Sequence, residues 1–195
     1  MNFESCDIAI IIPAYRVQHA LEMVLDSLPP YIKHIIVVDD ASPDGTADLV
    51  TARAKTDPRL ILIRHAQNQG VGGAMVSGFR KALELGAQIA VKLDGDGQMD
   101  AAQIPALITP LIEGKADYVK GNRFRDFVSL QSMPVVRRIG NLGLSFLTKA
   151  ATGYWNIFDP TMASSPSAAR CWPNCRLKKL TRVISLKRPC SRICI

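Results

Sequence analysis

Short blocks of uninterrupted β-branched residues alternate along the chain with longer stretches in which apolar residues return every three or four positions. Ile8-Ala9-Ile10-Ile11-Ile12 is apolar throughout until Pro13 stops it. Such a run reads as a strand buried on both faces, as in a parallel sheet. Ile35-Ile36-Val37-Val38, Leu60-Ile61-Leu62-Ile63 and Ile89-Ala90-Val91-Lys92-Leu93 repeat the pattern, and Asp117-Tyr118-Val119-Lys120 reads as a fifth strand. Between them, helical spacing covers 19–28, ending at Pro29-Pro30, then 46–54, 73–85 and 101–112. The last begins after Asp100, a plausible N-cap, with Pro105 near its start. Strands alternating with helices predict an α/β fold, a Rossmann-like mainly parallel sheet flanked by helices with right-handed crossovers. Beyond Gly121 the periodicity weakens, although 138–151 fits one amphipathic helix, and no internal repeat is visible.

In such sheets ligands bind beyond the carboxyl ends of the strands. The polar clusters obey that rule. Tyr15 follows the first strand, Asp39-Asp40 the second, 68–73 the third and 94–100 the fourth. Four loops therefore converge on one edge.

Asp94-Gly95-Asp96-Gly97-Gln98-Met99-Asp100 is the sharpest signal. Residues two apart at a strand end point the same way, so Asp94 and Asp96 could offer two carboxylates to one hard cation. A calcium EF-hand is excluded, because the sixth position is Met99 rather than Gly and the twelfth is Pro105 rather than Glu. A solvated Asp-Gly turn is the plain alternative. Asp39-Asp40-Ala41-Ser42 could accept hydrogen bonds from a base or ribose, or could simply start a helix with Ser42 or Asp44 as N-cap. Asn68-Gln69-Gly70-Val71-Gly72-Gly73-Ala74 is a glycine-rich loop opening a helix. It is neither a dinucleotide fingerprint nor a P-loop, and a tight turn alone would explain it. Arg123, Arg137 and Arg138 could meet phosphate. His19, His34 and His65 lack ligand spacing and read as structural or surface residues.

The formal charge of +7 over 195 residues invites a nucleic-acid reading. Its location argues otherwise: residues 163–195 hold eight basic residues and no Asp or Glu, for +8, while 1–162 carry −1 and show no basic stripe. Four of the five cysteines, Cys171, Cys175, Cys190 and Cys194, also lie in that last segment. A zinc site there lacks a nearby His, and a polybasic contact with anionic lipid would suit the charge. One Cys in the body suits a reducing cytoplasm. No signal-peptide pattern opens the chain and no apolar run approaches the ~18 residues of a membrane span.

Taken in order, Pro13-Ala14-Tyr15, Asp39-Asp40-Ala41-Ser42-Pro43-Asp44-Gly45-Thr46, the loop 68–74, the stretch 94–100 and Gly121-Asn122-Arg123-Phe124 resemble the family 2 glycosyltransferases of the GT-A fold, most of all the branch of dolichyl- and polyprenyl-phosphate sugar synthases. The resemblance covers about residues 7–162. It implies a UDP- or GDP-sugar donor, a lipid-phosphate acceptor, inversion at the anomeric carbon, and work at the cytoplasmic face of a membrane. It implies that Pro13, Ala14, Tyr15, Asp39 and Asp40 hold the nucleoside, with Gly72, Asp94, Arg123 and Arg138 completing the nucleotide-sugar site. Asp94 and Asp96, with Gln98 beside them, would hold Mg²⁺ or Mn²⁺ on the diphosphate. Asp96 and Asp159, in Asp159-Pro160-Thr161, would be the catalytic carboxylates, Asp159 orienting or deprotonating the acceptor.

Two departures stand out: Arg16 and Val17 replace the usual Asn and Glu after Tyr15, and the family pattern stops after Thr161. The expectation is a catalytic domain over 1–162, lacking part of the acceptor half, and a foreign, poorly packed tail over 163–195 that stands apart from the sheet. The rival reading is an inactive nucleotide-sugar-binding remnant.

Overall fold

A computed structural model describes Phe3, residues 6–120, 167–170 and 193–194. Four parallel strands form its centre: β1 (Ile8–Ala14), β2 (His34–Asp39), β3 (Leu60–Arg64) and β4 (Ile89–Lys92). Between them run α1 (Gln18–Asp26), α2 (Thr46–Arg53) and α3 (Gly70–Glu84). A 3-10 turn (Ala101–Gln103) and α4 (Ile104–Ile112) follow, then β5 (Tyr118–Lys120), β6 (Ser167–Arg170) and β7 (Ile193–Cys194). The strand order is β3-β2-β1-β4-β6-β5-β7.

The uninterrupted apolar runs have the predicted physical cause, a sheet covered on both faces. Ile8, Ile10 and Ile12 of β1, Ile35 and Val37 of β2, and Val91 of β4 pack with Leu21, Leu25, Val50, Ile104 and Ile108 from α1, α2 and α4. The residues between them, Ala9, Ile11, Ile36, Val38 and Ala90, pack on Ala74, Met75 and Ala82 of α3. Helix α3 lies so close that a Cβ on Gly78 would run into Ile11 Cγ2.

Strand β1 continues through Pro13, where the sequence run seemed to stop. Its even-numbered carbonyls face β2, as in Asp40 N–H to Ala14 O, while the odd ones face β4, as in Leu93 N–H to Ile11 O. The next bond of that ladder would run from the amide of residue 13 to the Leu93 carbonyl, so Pro13, which has no N–H, falls where pairing with β4 ends at Ile11 and Lys92.

Strand β6 runs antiparallel between β4 and β5, and β7 pairs with β5. The expectation that the chain from 163 onward stands apart from the sheet is therefore corrected at 167–170 and 193–194. A ladder is made by backbone groups, so four extended residues can fill it without the apolar periodicity sought in the sequence. Among the described residues no helix is long and apolar enough to cross a membrane.

Candidate functional site

Strand order reverses at β1, whose chain neighbour β2 lies on one side and β4 on the other. This switch point opens a crevice at the carboxyl ends. Register places Ala14 beside Asp39 and Asp39 beside Arg64. The His65 amide continues the ladder by donating to the Asp39 carbonyl at 2.9 Å. An open cleft at this edge is lined by Ala41, Ser42, Arg64, His65 and Ala66.

The two adjacent aspartates do different things. Both are buried. Asp39 Oδ1 accepts from the Ser42 amide at 3.2 Å, whereas Asp39 Oδ2 is fully enclosed and has no hydrogen-bond partner among the described residues. Arg64 Nε lies 3.6 Å from that oxygen, near enough for attraction but too far for a hydrogen bond, and its side chain is mostly exposed. A buried acceptor left unbonded costs about 1–3 kcal/mol, so Asp39 carries an unmet demand for an N–H donor.

Asp40 is committed to the protein. Its Oδ1 accepts from His65 Nδ1 at 2.7 Å and from the Gln69 amide at 2.9 Å, and His65 Nε2 meets Ser77 Oγ at 2.8 Å. Burial pushes the Asp40 carboxyl up, but the Gln69 amide, His65 and the Gly70 amide outweigh it and hold it below the ordinary aspartate range. Of the two predicted nucleoside contacts, Asp39 has one carboxylate oxygen without a hydrogen bond among the described residues, and Asp40 braces the frame.

The β2–α2 loop also organises its other neighbour. At the start of α1 the amides of Arg16, Val17 and Gln18 donate to Ser42 Oγ, Thr46 Oγ1 and Asp44 Oδ2, at 3.2, 3.3 and 3.4 Å. The Gly45 amide returns a bond to Gln18 Oε1 at 2.9 Å. Ser42 and Asp44 Oδ2 thus serve amides at the start of α1, while Asp44 Oδ1 accepts from the Thr46 amide at 3.3 Å, and the N-cap position of α2 itself falls at Gly45. For Asp44, burial acts upward, but the Thr46 hydroxyl and amide and the Gln18 amide prevail and lower its carboxyl. These bonds hold two non-glycine residues in left-handed backbone, Arg16 at φ 57° and Ala41 at φ 56°. Such conformations cost energy and persist where surrounding bonds fix them. Tyr15 is exposed, and the Arg16 guanidinium stacks over its ring at 5.2 Å.

Across the crevice, β4 ends at Lys92, so Asp94 and Asp96 sit in the following turn and strand alternation does not align them. Gly95 anchors this turn: a Cβ there would come within 3.2 Å of both Ile12 and Val17. Gly97 takes φ 74°. Asp94 pairs with buried Lys92 at 2.7 Å, Asp96 is exposed and accepts, among the described residues, from the Gln98 amide at 3.0 Å, and Gln98 is exposed. Asp100 caps the 3-10 turn through Ala102 N–H at 2.9 Å. Among the described residues no three His, Cys, Asp or Glu side chains gather into a cage. Two carboxylates at an open edge fit a hard cation that takes its remaining oxygens from a bound phosphate and water.

Gly72 lies exposed in the first turn of α3 with open space where a Cβ would point, so internal packing does not demand glycine there. Arg123, Arg138 and Asp159 lie outside the described residues. The sequence reading missed Arg64 and the role of His65. The available signal was their position directly after the third apolar run, where the loop rule already pointed.

Residues 9–166 match Glycosyl transferase family 2. A UDP-N-acetylglucosamine–dolichyl-phosphate N-acetylglucosaminyltransferase of Methanococcus voltae is 35% identical over 194 residues, covering 93% of this chain and 75% of its own. An undecaprenyl-phosphate mannosyltransferase of Micrococcus luteus is 38% identical, covering 58% of this chain and 46% of its own. The chain thus spans from about half to three quarters of these relatives. Two solved structures share the fold at 21% identity. A mannosyltransferase of Pyrobaculum calidifontis in complex with GDP-Man and Mn²⁺ has a TM-score of 0.53, covering 84% of this chain and 44% of its own. Glucosyl-3-phosphoglycerate synthase from Mycobacterium tuberculosis has a TM-score of 0.54, covering 86% and 59%. The arrangement of strands and helices is the GT-A fold.

Proposed function

Because the chain belongs to glycosyl transferase family 2, we propose that it moves a sugar from a UDP- or GDP-sugar to a polyprenyl or dolichyl phosphate, with inversion and with the help of Mg²⁺ or Mn²⁺. The relatives named above act on dolichyl and undecaprenyl phosphates. The observation that carries the donor half is the enclosed, unbonded Asp39 Oδ2 beside Ala14 and Arg64. Uracil and guanine each present a ring N–H next to a carbonyl, matching a carboxylate acceptor beside a guanidinium.

With the base at Asp39, the crevice leads the diphosphate toward Asp94 and Asp96. Asp94 and Asp96 would hold a divalent cation there, whose charge would offset that of the leaving diphosphate. Without it, the two carboxylates repel the phosphates. Arg123 and Arg138 add positive charge to the donor or acceptor phosphate. The acceptor phosphate is ionised near neutral pH, so Asp159 has mainly to orient it for attack on the anomeric carbon from the face opposite the diphosphate. We assign 1–162 to the catalytic domain, with 167–170 and 193–194 adding strands to its sheet and the basic residues of 163–195 able to touch anionic lipid at the cytoplasmic membrane face. The second reading is a protein that binds nucleotide sugar but transfers none.

Thermal shift with UDP and GDP, each with Mn²⁺ or EDTA, tests the donor half. One of them at 100 times its dissociation constant should add ~2.7 kcal/mol in Mn²⁺ and much less in EDTA. Equal shifts in EDTA would remove the cation bridge, and no shift from either would remove the donor site. Transfer to dodecaprenyl phosphate separates the enzyme from the inactive binder.

A further inference from the structure

We propose that His65 is a positioning residue of the donor site, holding the β2–α2 and β3–α3 loops in one fixed arrangement through Asp40 on one side and Ser77 on the other. The inference rests on the donor site proposed above. The ring is buried and both nitrogens are engaged, Nδ1 with Asp40 Oδ1 at 2.7 Å and Nε2 with Ser77 Oγ at 2.8 Å. Three elements meet in this chain of contacts: the end of β2, the end of β3 and the body of α3. A histidine so occupied has no nitrogen left for a substrate proton, which rules out a general base.

Its work is geometric. Residues 66–70 are all exposed, and the connection they form turns through Gly70 at φ 75°. Asp40 Oδ1 fixes both ends of that connection, at His65 and at the Gln69 amide. The same carboxylate precedes Ala41, a left-handed residue lining the cleft, and follows Asp39, whose enclosed Oδ2 has no hydrogen bond among the described residues. An Asp40 side chain released from His65 would loosen the start of α3 and the Asp39–Ser42 turn together. An ionised Asp40 requires the proton on Nδ1, and the Ser77 hydroxyl then donates to Nε2. Asp40 thereby sets the tautomer and Ser77 holds the ring's rotation, as partners behind a histidine commonly do.

The test uses His65→Phe, which keeps a ring without the bonds, together with Ser77→Ala and Ser77→Thr, all in the full chain. Amide exchange is read at Gln69 and Gly70, with Ile10 and Ile36 as core controls, and UDP and GDP affinity is measured with Mg²⁺ by calorimetry. In His65→Phe the Gln69 and Gly70 amides should exchange about tenfold faster with the core amides unchanged, and the bound nucleotide should weaken about tenfold. In turnover this raises KM and leaves kcat within about twofold, since an interaction equal in ground and transition states is lost. Ser77→Ala should show the same pattern at about threefold, and Ser77→Thr should restore it. Wild-type exchange and affinity in His65→Phe would overturn the proposal, as would a uniform rise in exchange across the core. Should His65→Phe fail to fold, unchanged Gln69 exchange in Ser77→Ala overturns it instead. If the wild-type chain binds neither nucleotide, the donor reading falls, and exchange at Gln69 still decides whether His65 holds the loops.

Discussion

The two loops that face each other across the switch point are built in opposite ways. From Asp39 to Thr46 the β2–α2 loop is largely buried, and the side chains of Asp39, Asp40, Ser42, Asp44 and Thr46 each bond to the protein, several of them to amides of other loops. From Asp94 to Asp100 the turn after β4 exposes Asp96, Gln98 and Asp100, and the bonds of Asp96 and Asp100 among the described residues stay within a few residues of sequence. One side of the crevice is thus set before any ligand arrives. The other offers charge with little support beyond the seat of Gly95. A rigid side suits recognition of a flat base through one aimed oxygen. An open, acidic side suits groups that bring their own counter-ion. Selectivity for the base should then survive without metal, while grip on the phosphates should not.

Asp96→Ala breaks the open side most severely. Transfer should fall about 100-fold or more, on the scale of losing one charge-stabilising group, and the Mn²⁺-dependent part of nucleotide stabilisation should vanish. Its melting temperature should stay near wild type, because the carboxylate is exposed and, among the described residues, bonds to the neighbouring Gln98 amide. Asp39→Asn attacks the rigid side while preserving shape. Nucleotide affinity should drop about 10- to 100-fold, with or without metal. Calorimetry should also find the variant as stable as wild type or slightly more so, since it neutralises a charge whose second oxygen lacks a partner. A large loss of stability instead would show Asp39 to be a folding residue.

Gly95→Val tests the seat of the acidic turn. Its side chain would press on Ile12, Val17 and Leu21, and denaturant unfolding should register a loss of about 1–3 kcal/mol. The smallest effect is the acid response of the rigid loop. Asp40 and Asp44 are held below the ordinary aspartate range, so they contribute stability at neutral pH. That contribution is complete above the unfolded aspartate pKa and drains away as pH falls below about 4 toward the folded values. Asp40→Asn should flatten this part of the stability–pH curve, as read by urea unfolding at pH 2.5 to 5.

Much of this was legible because sheet strands covered on both faces leave a local mark. The runs at 8–12, 35–38, 60–63 and 89–93 each fell inside or within a residue of a real strand, and the loop rule led to Tyr15, Asp39, Asp40, Asp94 and Asp96. What stayed hidden was non-local. Helix α3 begins at Gly70 rather than Gly73, since an aspartate 29 residues earlier holds the amide just before it. The division of labour between Asp39 and Asp40 depends on which way each side chain turns at the end of β2. The 101–112 segment split into a 3-10 turn and a helix at Ile104, with Pro105 in the first turn of the latter. Strand β6 was unreadable because its place is set by the edges of β4 and β5.

Gly78 deserves a last consequence of its own. It sits where α3 bears directly on Ile11, eight residues from the helix's first turn, a distance of about 12 Å along the axis. A single hydrogen there acts as a spacer gauge for the whole helix. Any larger side chain must lift α3 from the sheet or tilt it, and a stiff rod carries that movement to Gly70 and Gly72 at the ligand edge. A residue buried in grease, touching no substrate, thereby sets the width of a slot at the surface. Enlarging it to Ala is a way to retune the opening without altering any group that does chemistry.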